Sequence, residues 1–277
     1  MKKTPAMQNK PAKKVALITG GSSGIGLAIA HELAANGFSL FLVSNQPGLL
    51  ENCKIEIEAK YAVSCHVLDI DLSKENSAQE IFNFTKQQDL EVEILVNNAG
   101  FLVFSEVMET PAKKINAVLQ LHVLVPTMLC RLFGSEMKQR NSGHILNVSS
   151  ISAVMPYPGI SIYGPSKTYM RFFTRALRSE LKIYGVNATC LIPGATATAL
   201  YDPNKINLKL ARRLGIMQTP EFVAKKAVRS LFRKKAECIP GLLNKLTVYF
   251  LPLLSMRLIF LIHKNTNLLQ KGNAGLT

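Results

Sequence analysis

Tyr163 and Lys167, four residues apart, carry the clearest capacity for proton transfer in the chain. On a helix that spacing puts both side chains on one face. A phenol with a pKa of about 10 exchanges protons poorly at neutral pH unless a nearby cation stabilises the phenolate, and Lys167 can be that cation. Ser150, 13 residues before the tyrosine, offers a hydroxyl for the oxygen that Tyr163 would protonate. Near the start, VALITGGSSGIGLAIA places Gly20, Gly24 and Gly26 between an apolar run and an apolar-faced helix. Glycine there permits a tight turn and close approach of backbone to a pyrophosphate, whose charge is met by helix N-terminal amides. Ser22 and Ser23 add hydroxyl donors, and Ile25 sits between the last two glycines. Each signal has a plainer reading. A Tyr and a Lys at this spacing are common, Ser149-Ser150 after a strand is usually a turn or cap, Pro193-Gly194 is usually a turn, and a glycine-rich stretch can be a tight strand-to-helix connection. Their joint occurrence separates the two sets of readings.

These residues need a scaffold. Short apolar, β-rich runs at 15–19, 40–43, 64–68, 94–96, 144–148 and 187–192 alternate with longer stretches of helical period. The pattern predicts βαβ crossovers and a doubly wound parallel sheet, a Rossmann-like three-layer α/β/α single domain with an apolar helical C-terminal extension. Residues 1–13 are expected to form a flexible basic tail, 14–237 the α/β domain and 238–277 the extension. A basic, irregular stretch at about 199–219 reads as a substrate loop over the site. Pro220 opens a helix over 220–233.

Five motifs, in order and at matching spacing over about residues 14–200, resemble the compact short-chain dehydrogenase/reductase family. They are Thr19-Gly20-xxx-Gly24-x-Gly26, Asn97-Asn98-Ala99-Gly100, Ser150, Tyr163-xxx-Lys167 and Pro193-Gly194. The whole chain is similar to the branch that includes very-long-chain 3-oxoacyl and steroid 17-keto reductases. The resemblance implies an NAD(P)-dependent oxidoreductase acting on a hydrophobic small-molecule carbonyl or alcohol, assembled as a dimer or tetramer. In it Tyr163 is the general acid and base, Ser150 bonds the substrate oxygen, and Lys167 supports the phenol and holds the nicotinamide ribose. The cofactor set it implies is Gly20, Ser22, Ser23, Gly24, Ile25, Gly26, Ser44, Asn45, Asp71, Leu72, Asn98, Ala99, Gly100, Tyr163, Lys167, Pro193, Gly194, Thr196 and Thr198. Asp69 competes with Asp71 for the adenine, either could instead cap a helix, and so could Thr196 and Thr198.

Two positions depart from the family pattern. Counting back 15 residues from Met137, where the family carries an asparagine that helps hold a water relay near the lysine, this chain has His122. An imidazole can bridge a hydrogen-bond chain, so an altered proton relay is expected, although a lone His on an apolar helix is more often structural. At the end of the second strand an acid would bind the ribose hydroxyls of NAD and an arginine the extra phosphate of NADP. Ser44-Asn45-Gln46 is neither, and the missing carboxylate leans to NADP(H) over NAD(H).

Composition narrows the remaining classes. With 48% apolar and 18% charged residues, the chain can build a sizeable core. Lys and Arg outnumber Asp and Glu by 33 to 18, giving a formal charge of +15, which suits phosphorylated cofactors, anionic acyl carriers, acidic membranes or nucleic acid. The basic tail has no interleaved aromatics and no zinc-finger pattern, so nucleic acid is set aside. Five dispersed cysteines without a CxxC pair argue against a disulfide framework or metal site and for a reducing, cytoplasmic compartment. The apolar run after Lys14 is too short for a secretory signal, and no segment approaches about 20 uninterrupted apolar residues. The stretch 238–263 is greasy but interrupted by Lys245, Pro252 and Arg257. Contact with a membrane interface, closure over a lipid-like substrate, a core helix and a dimer face all remain open for it. A non-catalytic regulator and a peripheral membrane protein are the competing classes, and intact Ser150, Tyr163 and Lys167 argue against the first.

Overall fold

The computed structural model describes residues 13–197 and 217–255, together with 257–259, 261 and 264. The tail through residue 12, Thr198 and most of the expected loop at 199–219 lie outside the described residues.

Strands β1 (Lys13–Thr19), β2 (Ser39–Ser44), β3 (Cys65–Asp69), β4 (Leu90–Asn97), β5 (His144–Val148), β6 (Asn187–Leu191) and β7 (Glu237–Cys238) form one sheet in the order β3-β2-β1-β4-β5-β6-β7. Every pairing is parallel. Val15 to Thr19 are buried without alternation, as expected of a strand covered on both faces. One face carries α1 (Gly24–Ala35), α2 (Pro47–Tyr61) and α7 (Pro220–Phe232), which bury Ile29, Leu33, Leu50, Ile57, Val223 and Leu231. The other carries α3 (Ser77–Gln87), α5 (Val125–Gln139) and α6 (Tyr163–Leu181), which bury Ile81, Leu129, Phe133, Met137 and Leu181. Fully burying one such side chain contributes roughly 1.5–3 kcal/mol, so the two clusters hold the sheet between helical layers.

Two sequence expectations are corrected. β4 begins at Leu90 rather than 94, because Glu91 and Glu93 continue the strand with side chains at the rim, where Lys14 meets both carboxylates. A seventh strand straddles the expected boundary at 237/238, Glu237 pairing with Cys190 and Cys238 with Leu191. Two residues give no periodicity to read. Ala112–Gln139 is a continuous helical segment, long and apolar enough by length and composition to cross a membrane, although Lys113, Lys114 and Arg131 interrupt its apolar run. It comprises α4 (Ala112–Leu119), a π turn (Gln120–Leu124) and α5. Its apolarity serves the core, since Val118, Val125, Leu129, Phe133 and Met137 are all buried.

α7 is capped by Thr219, whose hydroxyl accepts from the Phe222 amide at 3.2 Å, with Pro220 in the first turn. Beyond β7 come α8 (Leu242–Phe250) and a short 3-10 turn (Leu251–Leu253), and the described residues 257–259, 261 and 264 are helical as well.

Candidate active site

Strand order reverses between β1 and β4, and the crevice at the carboxyl ends of those strands is where an open α/β sheet accepts a ligand. The glycine turn from β1 into α1 forms its floor. Gly20 has φ +65° and Gly24 +56°, a region costly for other residues. A Cβ on Gly26 would lie 2.1 Å from the Gly20 carbonyl oxygen, so no side chain fits there. Ser23 takes the N-cap place of α1 with no side-chain hydrogen bond, and the first turn holds no acid. The α1 amides therefore face the crevice without a competing side-chain cap. Asn98 Nδ2 donates to the carbonyls of Thr19 and Gly20, while the Thr19 hydroxyl accepts from the amides of Asn98 and Ala99. These bonds tie the glycine turn to the end of β4.

At the end of β2, the Ser22 and Ser44 hydroxyls lie 2.8 Å apart and Ser22 also donates to Gln46 Oε1 at 3.0 Å. Asp71 accepts from the Ser73 amide and hydroxyl, which hold its carboxyl below the ordinary range. Asp71 lines the cleft and also caps its own turn; Asp69 is exposed and does not line it.

Tyr163 and Lys167 line the same crevice. Tyr163 is the first residue of α6 and Lys167 lies one turn on, its Nζ 5.8 Å from the centre of the Tyr163 ring. Lys167 is 5% exposed and donates to the Val148 carbonyl at 3.2 Å. Burial pushes its ammonium down to about 8, the response of a cation taken out of water. Ser150, after β5, caps the 3-10 turn Ile151–Val154 by accepting from the Ser152 amide at 3.1 Å.

His122 lies in the π turn, 1% exposed, in the kind of helix bulge that recurs at functional sites. Its Nε2 accepts from the Phe101 amide at 3.2 Å. That leaves the proton on Nδ1, which faces Ser166 Oγ at 3.0 Å; Ser166 in turn donates to the Tyr163 carbonyl at 2.7 Å. Burial and the Lys167 charge hold the imidazole well below its ordinary pKa. His122 is thus a neutral clamp between the loop after β4 and the first turn of α6, its ring edge-on to Tyr163 with centroids 5.5 Å apart. A cavity of about 10 Å³ behind it is lined by Thr19, Asn97, His122 and Lys167, room for a single water. Asn97 Oδ1 is buried there without a partner among the described residues.

A cleft of about 800 Å³ joins these parts. Of the residues expected from sequence, Gly20, Ser22, Ser23, Gly24, Ile25, Ser44, Asn45, Asp71, Leu72, Asn98, Ala99, Gly100, Ser150, Tyr163, Lys167, Pro193, Gly194 and Thr196 line it. Gly26 and His122 lie beneath it instead, against Gly20 and Gly100. Sequence reasoning missed Phe101, Leu102, Met155 and Ile160, and Thr247 and Leu251 from the C-terminal segment. Thr196 donates to the Gly194 carbonyl at 3.0 Å and bridges Gln218, so it is committed to the turn as well as the cleft wall.

A family model described as short chain dehydrogenase matches residues 14–208. The chain is 31% identical over 224 residues to the very-long-chain 3-oxoacyl-CoA reductase of Macaca fascicularis, covering 78% of this chain and 68% of that protein. It is 34% identical over 188 residues to 17-beta-hydroxysteroid dehydrogenase type 3 of Homo sapiens, covering 67% of this chain and 60% of the relative. The solved short-chain dehydrogenase from Sphingobium yanoikuyae in complex with NADPH superposes with a TM-score of 0.75 at 24% identity, over 95% of this chain and 98% of that one. Likeness at that identity speaks to the fold.

Proposed function

The chain belongs to the short-chain dehydrogenase family, and from that premise we propose that it is an NADP(H)-dependent reductase of hydrophobic carbonyl compounds of acyl or steroid type. The observation that carries the reading is Tyr163 above a buried Lys167 in a cleft whose far walls are Phe101, Leu102, Met155, Ile160 and Leu251. Gly20, Gly24 and Gly26, the uncapped start of α1 and the Asn98 latch fit a dinucleotide pyrophosphate. Lys167 and Thr196 would hold the nicotinamide end and Asp71 and Leu72 the adenine end. When bound, the nicotinamide ring supplies or accepts the hydride.

The chain's own groups do the rest. Tyr163 gives its phenolic proton to the substrate oxygen in reduction and takes it back in oxidation. The Lys167 ammonium favours the phenolate left behind. Ser150 donates to the same substrate oxygen, and its hydroxyl is oriented for this by accepting the Ser152 amide. His122 fixes the start of α6, and with it the height of Tyr163, through Ser166. The apolar far wall and the names of the similar proteins support a hydrophobic substrate. The carboxylate-free end of β2 supports NADP(H).

The test is fluorescence titration of NADPH and NADH into wild type and Tyr163→Phe, followed by assays of nicotinamide oxidation coupled to the reduction of long-chain and steroidal ketones. Binding by both proteins, tighter for NADPH, with turnover confined to wild type is the expected result. Binding without turnover of any ketone points to a non-catalytic regulator, and no binding of either nucleotide sinks the reading.

The same reading extends to assembly and location. Leu124 and Met128 on the α5 side and Tyr169 and Phe172 on α6 expose large apolar surfaces, which support a homodimer or tetramer through those helices, measurable by light scattering. Five buried free thiols support a cytoplasmic setting, with the sheet through β7 and the inward side of α8 as the catalytic unit.

A further inference from the structure

Helix α8 is apolar on the side that faces water. Inward, Asn244 and Val248 are buried and Thr247 and Leu251 line the cleft. Outward stand Leu242, Leu243, Leu246, Tyr249, Phe250 and Leu253, with Leu246 47%, Phe250 61% and Leu253 77% exposed. They recur at the three- and four-residue spacing of a single helix face. A surface helix of a water-soluble monomer presents polar side chains there, and a contiguous exposed apolar patch with a polar rim marks a contact.

Among the described residues from 238 onward there is no Asp or Glu, whereas Lys245, Arg257 and Lys264 are basic and exposed. Lys226, Lys235 and Lys245 lie near enough for their charges to act on the buried Cys238 thiol at the end of β7. A second copy of this chain on the same face would bring like charges together, which opposes association. An apolar stripe flanked by cations instead matches a helix lying in the interface of an anionic bilayer.

We propose that the outward face of α8 docks the protein on an anionic lipid surface, holding the cleft within one helix diameter, about 10 Å, of the bilayer. The inference rests on the reading of the cleft as a site for hydrophobic carbonyl substrates and deepens it. Thr247 and Leu251 line the cleft from the same helical segment whose other side enters the interface, so a membrane-dissolved substrate has a short path to Tyr163.

The test floats full-chain protein with phosphatidylcholine vesicles with and without phosphatidylglycerol. Wild type is expected to float with the phosphatidylglycerol vesicles at low salt and to release as salt rises. Leu246→Glu/Phe250→Glu should lower partitioning by about tenfold or more. Ile183→Glu, on a distant exposed apolar residue, should leave it unchanged, and NADPH titration of every variant verifies the fold. No flotation of wild type with either vesicle, or undiminished flotation of the double variant, overturns the proposal. A wild-type oligomer that the double variant dissolves without any lipid binding also overturns it, assigning the face to a second copy. Failed flotation with NADPH-dependent turnover of a water-soluble ketone intact sinks the docking alone. Flotation without turnover sinks the functional reading alone.

Discussion

His122 stands where the spacing from Met137 leads one to expect an asparagine, and its neighbours decide what its imidazole can do. Protonating Nε2 would break the bond from the Phe101 amide and put a second cation beside Lys167. The folded chain therefore keeps this ring neutral while the unfolded chain protonates it below about pH 6.5, so its contribution to stability is lost as pH falls. Urea unfolding should show wild type losing up to about 1.4 kcal/mol per pH unit more than His122→Asn between about pH 6.5 and 5.5; a difference that does not change with pH refutes the clamp. Lys167 titrates in the other direction. With its ammonium pushed down to about 8, kcat/KM for reduction should fall as pH rises through about 8. Lys167→Met should lack that limb and run about 10²- to 10⁴-fold slower. At this scale the polar chemistry was legible, because Tyr163, Lys167, Ser150 and the glycines announce themselves by type and spacing. The ring partners of His122 were not, since nothing in an apolar helix says which backbone amide its imidazole will meet. Phe101, Leu102, Met155 and Ile160 were missed for a related reason: apolar residues that line a cleft look like any others that fill a core.

Between elements, the turn after β6 and helix α8 are fitted to each other at one point. A Cβ on Gly194 would fall 2.3 Å from both Nδ2 and Oδ1 of Asn244, a buried side chain that donates to the Pro240 carbonyl at 2.8 Å. Gly194→Ala should therefore push α8 outward and cost about 1–3 kcal/mol as an overpacked site. It should raise KM for a hydrophobic ketone more than it lowers kcat, because Thr247 and Leu251 move with the helix. Adding Asn244→Ala should recover part of the loss, and a double-mutant cycle with no coupling would separate the two residues. The six strands and their crossovers could be read because strands buried on both faces appear as short apolar runs between helical periods. The seventh strand is two residues long, and the π turn inserts one residue into a helix without disturbing its apolar pattern. Neither leaves a periodic trace.

Across the whole molecule, the cleft is a joint between crossovers. Gly20 and Gly24 come from the β1–α1 turn, Ser44 from β2, Asp71 from beyond β3, Asn98 from beyond β4, Tyr163 and Lys167 from α6, and Thr196 from beyond β6. A dinucleotide that touched all of them would fasten together segments from both sides of the β1–β4 switch, so its binding free energy would appear as stability of the entire sheet. At a concentration 100-fold above Kd it should add about 2.7 kcal/mol, a rise in Tm of roughly 5–10 °C for a chain of this size. NADPH should give the larger rise at equal concentration, since Ser44, Asn45 and Gln46 present no carboxylate to the extra phosphate. An equal or larger rise with NADH would transfer the preference to NAD(H). Gly26→Ala provides the control at this scale. Its methyl group would meet the Gly20 carbonyl at 2.1 Å and force the turn away from the start of α1, so the variant should melt lower and show no shift with either nucleotide. A full nucleotide-induced shift in Gly26→Ala would mean that the glycine turn is not where the cofactor is held.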